Sequence, residues 1–306
     1  MERRDFLKHS VTMTAAAAAA LNGIPVSKAF AQAPSASGKV DLAAIQGGEP
    51  GIMFDKAMEA FGGMKQFVKP NQKVVIKPNI GWDTPVERAA NTHPELVSRI
   101  IKHCLDAGAK EVVVFDHTCD RWKRTYESSG IEAAVKGAGG MMAPGHVDRH
   151  YAPVDVPQGV KLKKAQVHEL VLEADVFINV PVLKHHGGAG LTIGLKNNMG
   201  IVWDRGDWHR NGLHQCIADF STVRKPDLTV VDAYRMLMRN GPRGVSENDT
   251  ALRKAQIVSP DPVAADAAAA KLFGTDPAQV SYIRMAQEKG VGVMDLSTLA
   301  IQRIRI

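Results

Sequence analysis

The sequence predicts an α/β protein, a mainly parallel sheet with helices on both faces and a small β-ribbon insertion. Three observations carry this. Short apolar runs rich in β-branched residues recur along the chain, at 74–76, 112–115, 176–180 and 228–231, and read as buried strands. Segments with apolar residues at helical spacing lie between them, and strand–helix–strand alternation favours parallel pairing with right-handed crossovers. The rhythm fails once, over 141–171, where an insertion is expected.

Residues 40–45 form the first expected strand, and 51–67 carries Met53, Ala57 and Phe61 at helical spacing. The run 73–79 is a strand stopped by Pro78. His93-Pro94 opens a helix with Leu96, Val97, Ile100, Ile101 and Leu105 on one face, capped by Gly108. A strand at 111–116 and a helix at 126–137 follow. Within the insertion, 151–156 and 160–170 predict the ribbon. Strands resume at 176–182 and 228–232, with a helix at 213–223 between them. The tail is expected to add a strand at 256–259, helices at 262–273 and 277–289, and a closing strand at 299–304. No repeat or long linker interrupts 32–306, so one domain is expected there.

The first residues speak of address. Arg3-Arg4, then Phe6-Leu7-Lys8, precede an apolar, alanine-rich segment at 11–21, and Ala29-Phe30-Ala31 supplies small residues at the positions a signal peptidase reads. A charged start, a short apolar stretch and an A-x-A site make a secretory leader over 1–31, too short for a membrane span. The paired arginines resemble the twin-arginine (Tat) export motif, which makes the Tat translocase a transient partner and the periplasm or exterior the destination. The leader carries four basic residues (Arg3, Arg4, Lys8, Lys28) and two acidic ones (Glu2, Asp5), so the formal charge falls from +6 to +4 on cleavage. No dense basic stripe or nucleic-acid motif accompanies that charge, which suits local attraction of an anionic small molecule instead. After the leader no run is apolar enough to span a bilayer.

The chemistry concentrates at 176–200. The strand Val176-Phe177-Ile178-Asn179-Val180 is followed by Pro181-Val182-Leu183-Lys184-His185-His186, then by Gly187, Gly188 and Gly190, and then by Gly194-Leu195-Lys196-Asn197-Asn198-Met199-Gly200. Lysines, imidazoles and carboxamides beyond a strand end can hold an anion, ligate a metal or donate protons. In open α/β sheets ligands collect at the carboxyl ends of strands. Four strand ends carry such groups: Lys77 with Asn79, Asp116 with His117, Lys184 with His185 and His186, and Asp232. His93, Lys196, Asn197, His214 and Asp219 are additions from loops and helix starts. Each has a plain alternative; His93, for instance, precedes Pro94 and suits a helix cap.

Cys104, Cys119 and Cys216 show no C-x-x-C spacing, which argues against an iron–sulfur cluster or thiolate zinc site. Their odd number leaves at least one thiol free, and one disulfide stays open. A metal is an open question, with Asp116, His185 and His186 as candidate ligands; the adjacent histidines diverge on a strand, so one metal would take only one of them. There is no G-x-G-x-x-G after the first strand and no G-x-S-x-G, which sets aside an ordinary dinucleotide fold and a hydrolase elbow.

Six ordered motifs resemble the DUF362 family: Lys77-Pro78-Asn79 with His93-Pro94, Pro181-Val182-Leu183-Lys184-x-His186, Gly194-Leu195-Lys196-Asn197, Asp232-Ala233, Asn240-Gly241-Pro242, and Asp261-Pro262-Val263-Ala264-x-Asp266. The resemblance runs from about residue 40 to 304. Many members carry a cysteine-rich ferredoxin-like module, and this sequence shows none, so the resemblance implies fold and site rather than electron transfer. Two functions follow. The first is an exported enzyme in which Lys77, Lys184 and Lys196 hold a carboxylate or phosphate, with Asn79, Asn197 and His93 assisting, and His186 or His214 with Asp232 moves protons. The second is a non-catalytic ligand- or cofactor-binding protein using the same groups. The cofactor, if any, is unknown.

Overall fold

The computed structural model describes residues 39–306. The expected leader, with its twin arginines and cleavage site, lies outside the described residues.

In chain order the strands and helices are β1 (Leu42–Gln46), α1 (Pro50–Phe61), β2 (Lys73–Pro78), α2 (Pro94–Asp106), β3 (Glu111–Val114), α3 (Trp122–Ser128), α4 (Ile131–Gly137), β4 (Met141–Met142), β5 (Tyr151–Asp155), β6 (Lys164–His168), α5 (Glu169–Glu173), β7 (Val176–Val180), β8 (Val182–His186), β9 (Gly190–Thr192), α6 (Gly194–Asn197), α7 (Gly206–Asn211), α8 (Leu213–Phe220), β10 (Leu228–Leu237), β11 (Thr250–Ser259), α9 (Pro262–Phe273), α10 (Ser281–Glu288) and β12 (Ile301–Arg305). The main sheet runs β12-β1-β11-β10-β7-β2-β3-β4, with β8 and β9 attached beside β10. Only β11 runs against its neighbours in that row, and β9 returns antiparallel to β8. The carboxyl ends of β2, β3, β7 and β10 therefore share one edge.

Period-2 alternation divides each strand between two cores. Ala43, Ile45, Val74, Ile76, Ile178 and Val230 face α1, α2 and α4, where Met53, Phe54, Leu96, Ile100 and Val135 complete one layer. Leu42, Ala44, Val75, Phe177, Val231 and Ile257 face the opposite way, onto α8, α9 and α10 through Ile217, Phe220, Ala267 and Ile283. Burial on both faces explains the continuous apolar runs. Helices thus cover both faces, as the sequence predicts.

The insertion forms a separate antiparallel pair, β5 with β6. Asp219 Oδ2 anchors its loop by accepting the N–H groups of Val160, Lys161 and Leu162 at 2.8, 2.7 and 3.0 Å. Burial opposes that charge, but the Lys289 ammonium and these N–H donors win and hold the carboxyl at about 2. Asp219 is therefore a fastener and not a site residue.

Two departures have clear causes. The helix expected over 51–67 stops at Phe61, because Gly62 adopts φ 80° and closes the helix with its N–H on Glu59 and Met58 carbonyls. Lys184 and His186 lie on a strand, not in a loop. Pro181 only interrupts the backbone, and β8 then resumes parallel to β10, with the glycines forming the hairpin to β9. Among the described residues no helix is long and apolar enough to cross a membrane.

Candidate functional site

Lys77 and Asn179 are register partners on β2 and β7. Their neighbours Ile76 and Ile178 face the α1/α2 layer, so both polar side chains point the other way, toward the C-terminal end of α6. Asn197, the last residue of that helix, reaches down and binds both. Its Oδ1 accepts from Lys77 Nζ at 2.8 Å, its Nδ2 donates to Asn179 Oδ1 at 2.8 Å, and its carbonyl takes a second Lys77 proton at 2.6 Å. The third contact of Lys77 is Asp116 Oδ1 at 3.0 Å. Asp116 Oδ2 meanwhile accepts from Ile80 N at 2.7 Å. Burial lowers the pKa of this lysine, and Asp116 works against the shift. Lys77 is thus a paired, saturated cation.

The amide chain continues to a second lysine. Asn79 Nδ2 donates to Asn197 Oδ1 at 2.9 Å, and Asn79 Oδ1 accepts from Lys184 Nζ at 3.1 Å. Lys184 also donates to the Ala90 carbonyl. Both of its acceptors are neutral, and it is 1% exposed. Burial, with the nearby Lys196 ammonium adding to it, brings its pKa down to about 7. Lys196, on α6, is 9% exposed, and burial with Arg205 and Lys77 nearby lowers it to about 8.

Asp266 positions α6. Its two oxygens accept from Gly194 N at 2.7 Å and Leu195 N at 3.0 Å. Burial raises its pKa to about 8, opposed by those N–H donors. Gly194 must lack a side chain, because a Cβ there would stand 2.8 Å from Asp266 Oδ1. This explains two of the six motifs: Asp266 in α9 grips the Gly194-Leu195 backbone and so sets where Lys196 and Asn197 stand.

These groups line a cavity of about 300 Å³ at the carboxyl edge, with Lys77, Asn79, Asp116, Lys184, His186, Lys196 and Asn197 in its wall. That is the small end of ligand-site sizes. Three more wall residues with chemistry, Cys119, Arg205 and His209, were not expected at the site, and His117, expected at a strand end, had no role assigned. Arg205 is held by the carbonyls of His117 and Thr118. The signal was available, since Trp203-Asp204-Arg205-Gly206-Asp207-Trp208-His209 is a polar and aromatic run immediately beyond the Gly200 motif. The wall therefore carries Lys77, Lys184, Lys196 and Arg205 against one carboxylate, Asp116.

Two of the three wall histidines, His186 and His117, have opposite tautomers. His186 Nδ1 accepts from the N–H groups of Gly188 and Ala189, both at 3.1 Å, so the neutral ring carries its proton on Nε2. Burial and the neighbouring Lys196 and Lys184 push its pKa down to about 3. At neutral pH it is a hydrogen-bond donor, not a base. His117 stacks on Trp203 at 4.9 Å and sets Nδ1 3.2 Å from the Val202 carbonyl, which puts the proton on Nδ1 and a lone pair on Nε2. Burial, then Arg205, lowers its pKa.

Four expected residues do not join the cavity. Asp232 has the parity of Val230, so its side chain faces the α2 layer, where Oδ2 accepts from His93 N at 2.7 Å and Oδ1 from Tyr234 N at 3.0 Å. Burial raises its pKa. His93 caps α2, its Nδ1 accepting from Glu95 N at 3.3 Å. His185 has the opposite parity to Lys184 and His186, and its Nδ1 accepts from Gly241 N at 3.1 Å. His214 stacks on Tyr282 at 5.9 Å. As for metal ligands, Asp116 is engaged by Lys77 and Ile80. Among the described residues no three His, Cys, Asp or Glu side chains converge closely enough to hold a metal ion. Cys104, Cys119 and Cys216 are free thiols.

Residues 74–271 match the family described as "Domain of unknown function (DUF362)", about two thirds of the chain. The chain belongs to DUF362. All the wall residues of the cavity fall within the matched DUF362 segment. A thylakoid-associated protein of Synechocystis sp. is 26% identical over 246 residues, 76% of this chain and 73% of that protein. Among solved structures, the lactate racemase apoprotein from Thermoanaerobacterium thermosaccharolyticum superposes with a TM-score of 0.44 at 12% identity, over 71% of this chain and 54% of that one. A protein from Thermotoga maritima gives 0.45 at 10% identity, over 79% and 60%. The chain thus spans between half and two thirds of those two structures.

Proposed function

We infer that this DUF362 protein is an exported enzyme acting on a small anionic molecule in the cavity at the carboxyl edge of the sheet. One observation carries the reading: four basic side chains face about 300 Å³ of space with one carboxylate among them, and that carboxylate is engaged by Lys77. Basic groups in a walled cleft focus field lines and concentrate anions. Lys196 and Arg205 are the groups available to a carboxylate, phosphate or sulfate, and His186 adds an Nε2–H donor. The preference for an enzyme over a passive binder rests on Lys184 and His117. An amine with a pKa of about 7 and an imidazole with a free Nε2 lone pair exceed what anion retention requires.

A panel of small anions, among them sulfate, phosphate, acetate and pyruvate, tested by thermal shift on the parent and on Lys196→Ala, examines this reading. Saturable stabilisation of the parent, reduced in the variant, supports it; no response to any anion removes it. The proposed Tat route is examined separately: replacing Arg3-Arg4 by Lys-Lys should strand the protein in the cytoplasm, and normal Tat-dependent export of that variant contradicts the route.

A further inference from the structure

Two buried lysines, Lys77 on β2 and Lys184 on β8, line one cavity and are treated in opposite ways. Lys77 is given a carboxylate at 3.0 Å and two oxygens of Asn197, three acceptors for three ammonium protons. Lys184 is equally buried, yet it meets only Asn79 Oδ1 and the Ala90 carbonyl. A neutral amine has two N–H donors and one lone pair, and those two acceptors use both donors. What remains of Nζ is the lone pair, on a residue that lines the cavity. Desolvation with no carboxylate in contact, beside another cation, favours this neutral form and outweighs the attraction of the more distant Cys119 and Asp116. A lysine meant only to hold an anion would gain from staying charged, as Lys77 shows is feasible in the same wall.

We propose that Lys184 is an amine nucleophile that holds an anionic carbonyl compound, such as a 2-oxo acid or an aldehyde bearing a carboxylate or phosphate, as a reversible imine. This deepens the anion-site reading and rests on it, with Lys196 and Arg205 taking the anionic group. In the step, the Nζ lone pair forms a bond to the carbonyl carbon while the C=O π pair moves to oxygen. Nitrogen gives up one proton, one more is drawn from solvent through the open mouth of the cavity, and both leave with the oxygen as water. Nitrogen's lone pair then closes the C=N bond. Amine, carbonyl and one proton thus become iminium and water. His186 Nε2–H is placed in the same wall to donate to the oxygen as its charge develops.

The test treats the full chain with pyruvate or glyoxylate and sodium cyanoborohydride, which reduces iminium ions to stable secondary amines, followed by peptide mass mapping. The expected result is an adduct on Lys184 at concentrations that leave surface lysines unmodified. Sulfate should suppress it, and Lys196→Ala should cut its yield about tenfold, the loss of one charge-assisted contact. Lys184→Met should abolish it. The sulfate competition uses the parent protein, so it stands even where that variant folds poorly. Adduct spread over exposed lysines, or untouched by sulfate, overturns the proposal. Stabilisation by pyruvate without any adduct also overturns the imine while leaving the anion site standing, whereas no anion response at all removes both.

Discussion

Gly200 is where the site is most sensitive to a single carbon atom. A Cβ at this position would stand 1.9 Å from Asp116 Oδ1 and 2.5 Å from Lys77 Nζ. The first distance is roughly 1.5 Å short of an ordinary van der Waals contact. Lys77 and Asp116 are almost fully buried, so neither can swing out to solvent. Gly200→Ala must therefore separate the pair or displace the backbone, whose carbonyl accepts from His117 N at 3.0 Å. Overpacking alone costs about 1–3 kcal/mol, and loss of a partner from a buried ion pair about 3–5 kcal/mol. A destabilisation of at least about 3 kcal/mol is expected, a fall in Tm of roughly 6–12 °C at about 2–4 °C per kcal/mol for a chain of this size. Urea unfolding and calorimetry would measure it. Gly206→Ala is the control, because a Cβ there meets nothing within 4 Å. If Gly200→Ala unfolds together with Gly206→Ala, the close packing of the Lys77–Asp116 pair on this backbone is wrong.

Three further outcomes follow from the same geometry. Lys196→Ala should weaken sulfate binding by about 1.5–3 kcal/mol, the worth of a hydrogen bond to a charged group, with little change in the urea midpoint; calorimetric titration reads the first and circular dichroism the second. Asp232→Asn should destabilise the protein by about 1–3 kcal/mol through its buried N–H partners yet leave sulfate affinity unchanged, since its side chain lies across the sheet from the cavity; a loss of affinity at unchanged stability would return Asp232 to the site. Sulfate affinity should fall as pH rises from about 7 to 9. A bound dianion favours protonated Lys196, which in the free protein releases its proton at about 8, so above that value binding must recruit one. Affinity that is flat over this range counts against Lys196 as a ligand.

The sheet was legible because its strands are buried on both faces and their apolar runs end in recognisable stops such as Pro78. The candidate site was legible to the extent that Lys77, Asn79, Asp116, Lys184, His186, Lys196 and Asn197 line one cavity at the carboxyl edge. Membership by strand end was too coarse a rule. A strand end offers two faces, and only Lys77's face opens on the cavity; Asp232 and His185 fall on the other parity. The roles within the site were hidden for a different reason. Asn197 and Asn79 work as wiring between lysines, and the separate fates of Lys77 and Lys184 depend on Asp116 approaching one of them, a contact between strands that no local pattern encodes. Arg205 caps, and His209 lies on, a short helix whose polar sequence resembles a solvated turn.

The proposed anion site rests on Lys196 and Arg205, wall cations with no carboxylate partner among the described residues. Calorimetric titration of sulfate into the full chain, and into Lys196→Ala and Arg205→Ala, tests it most directly. One saturable site in the parent, weakened in both variants, is the outcome the geometry predicts. Absence of saturable binding, or equal affinity in all three proteins, would contradict it.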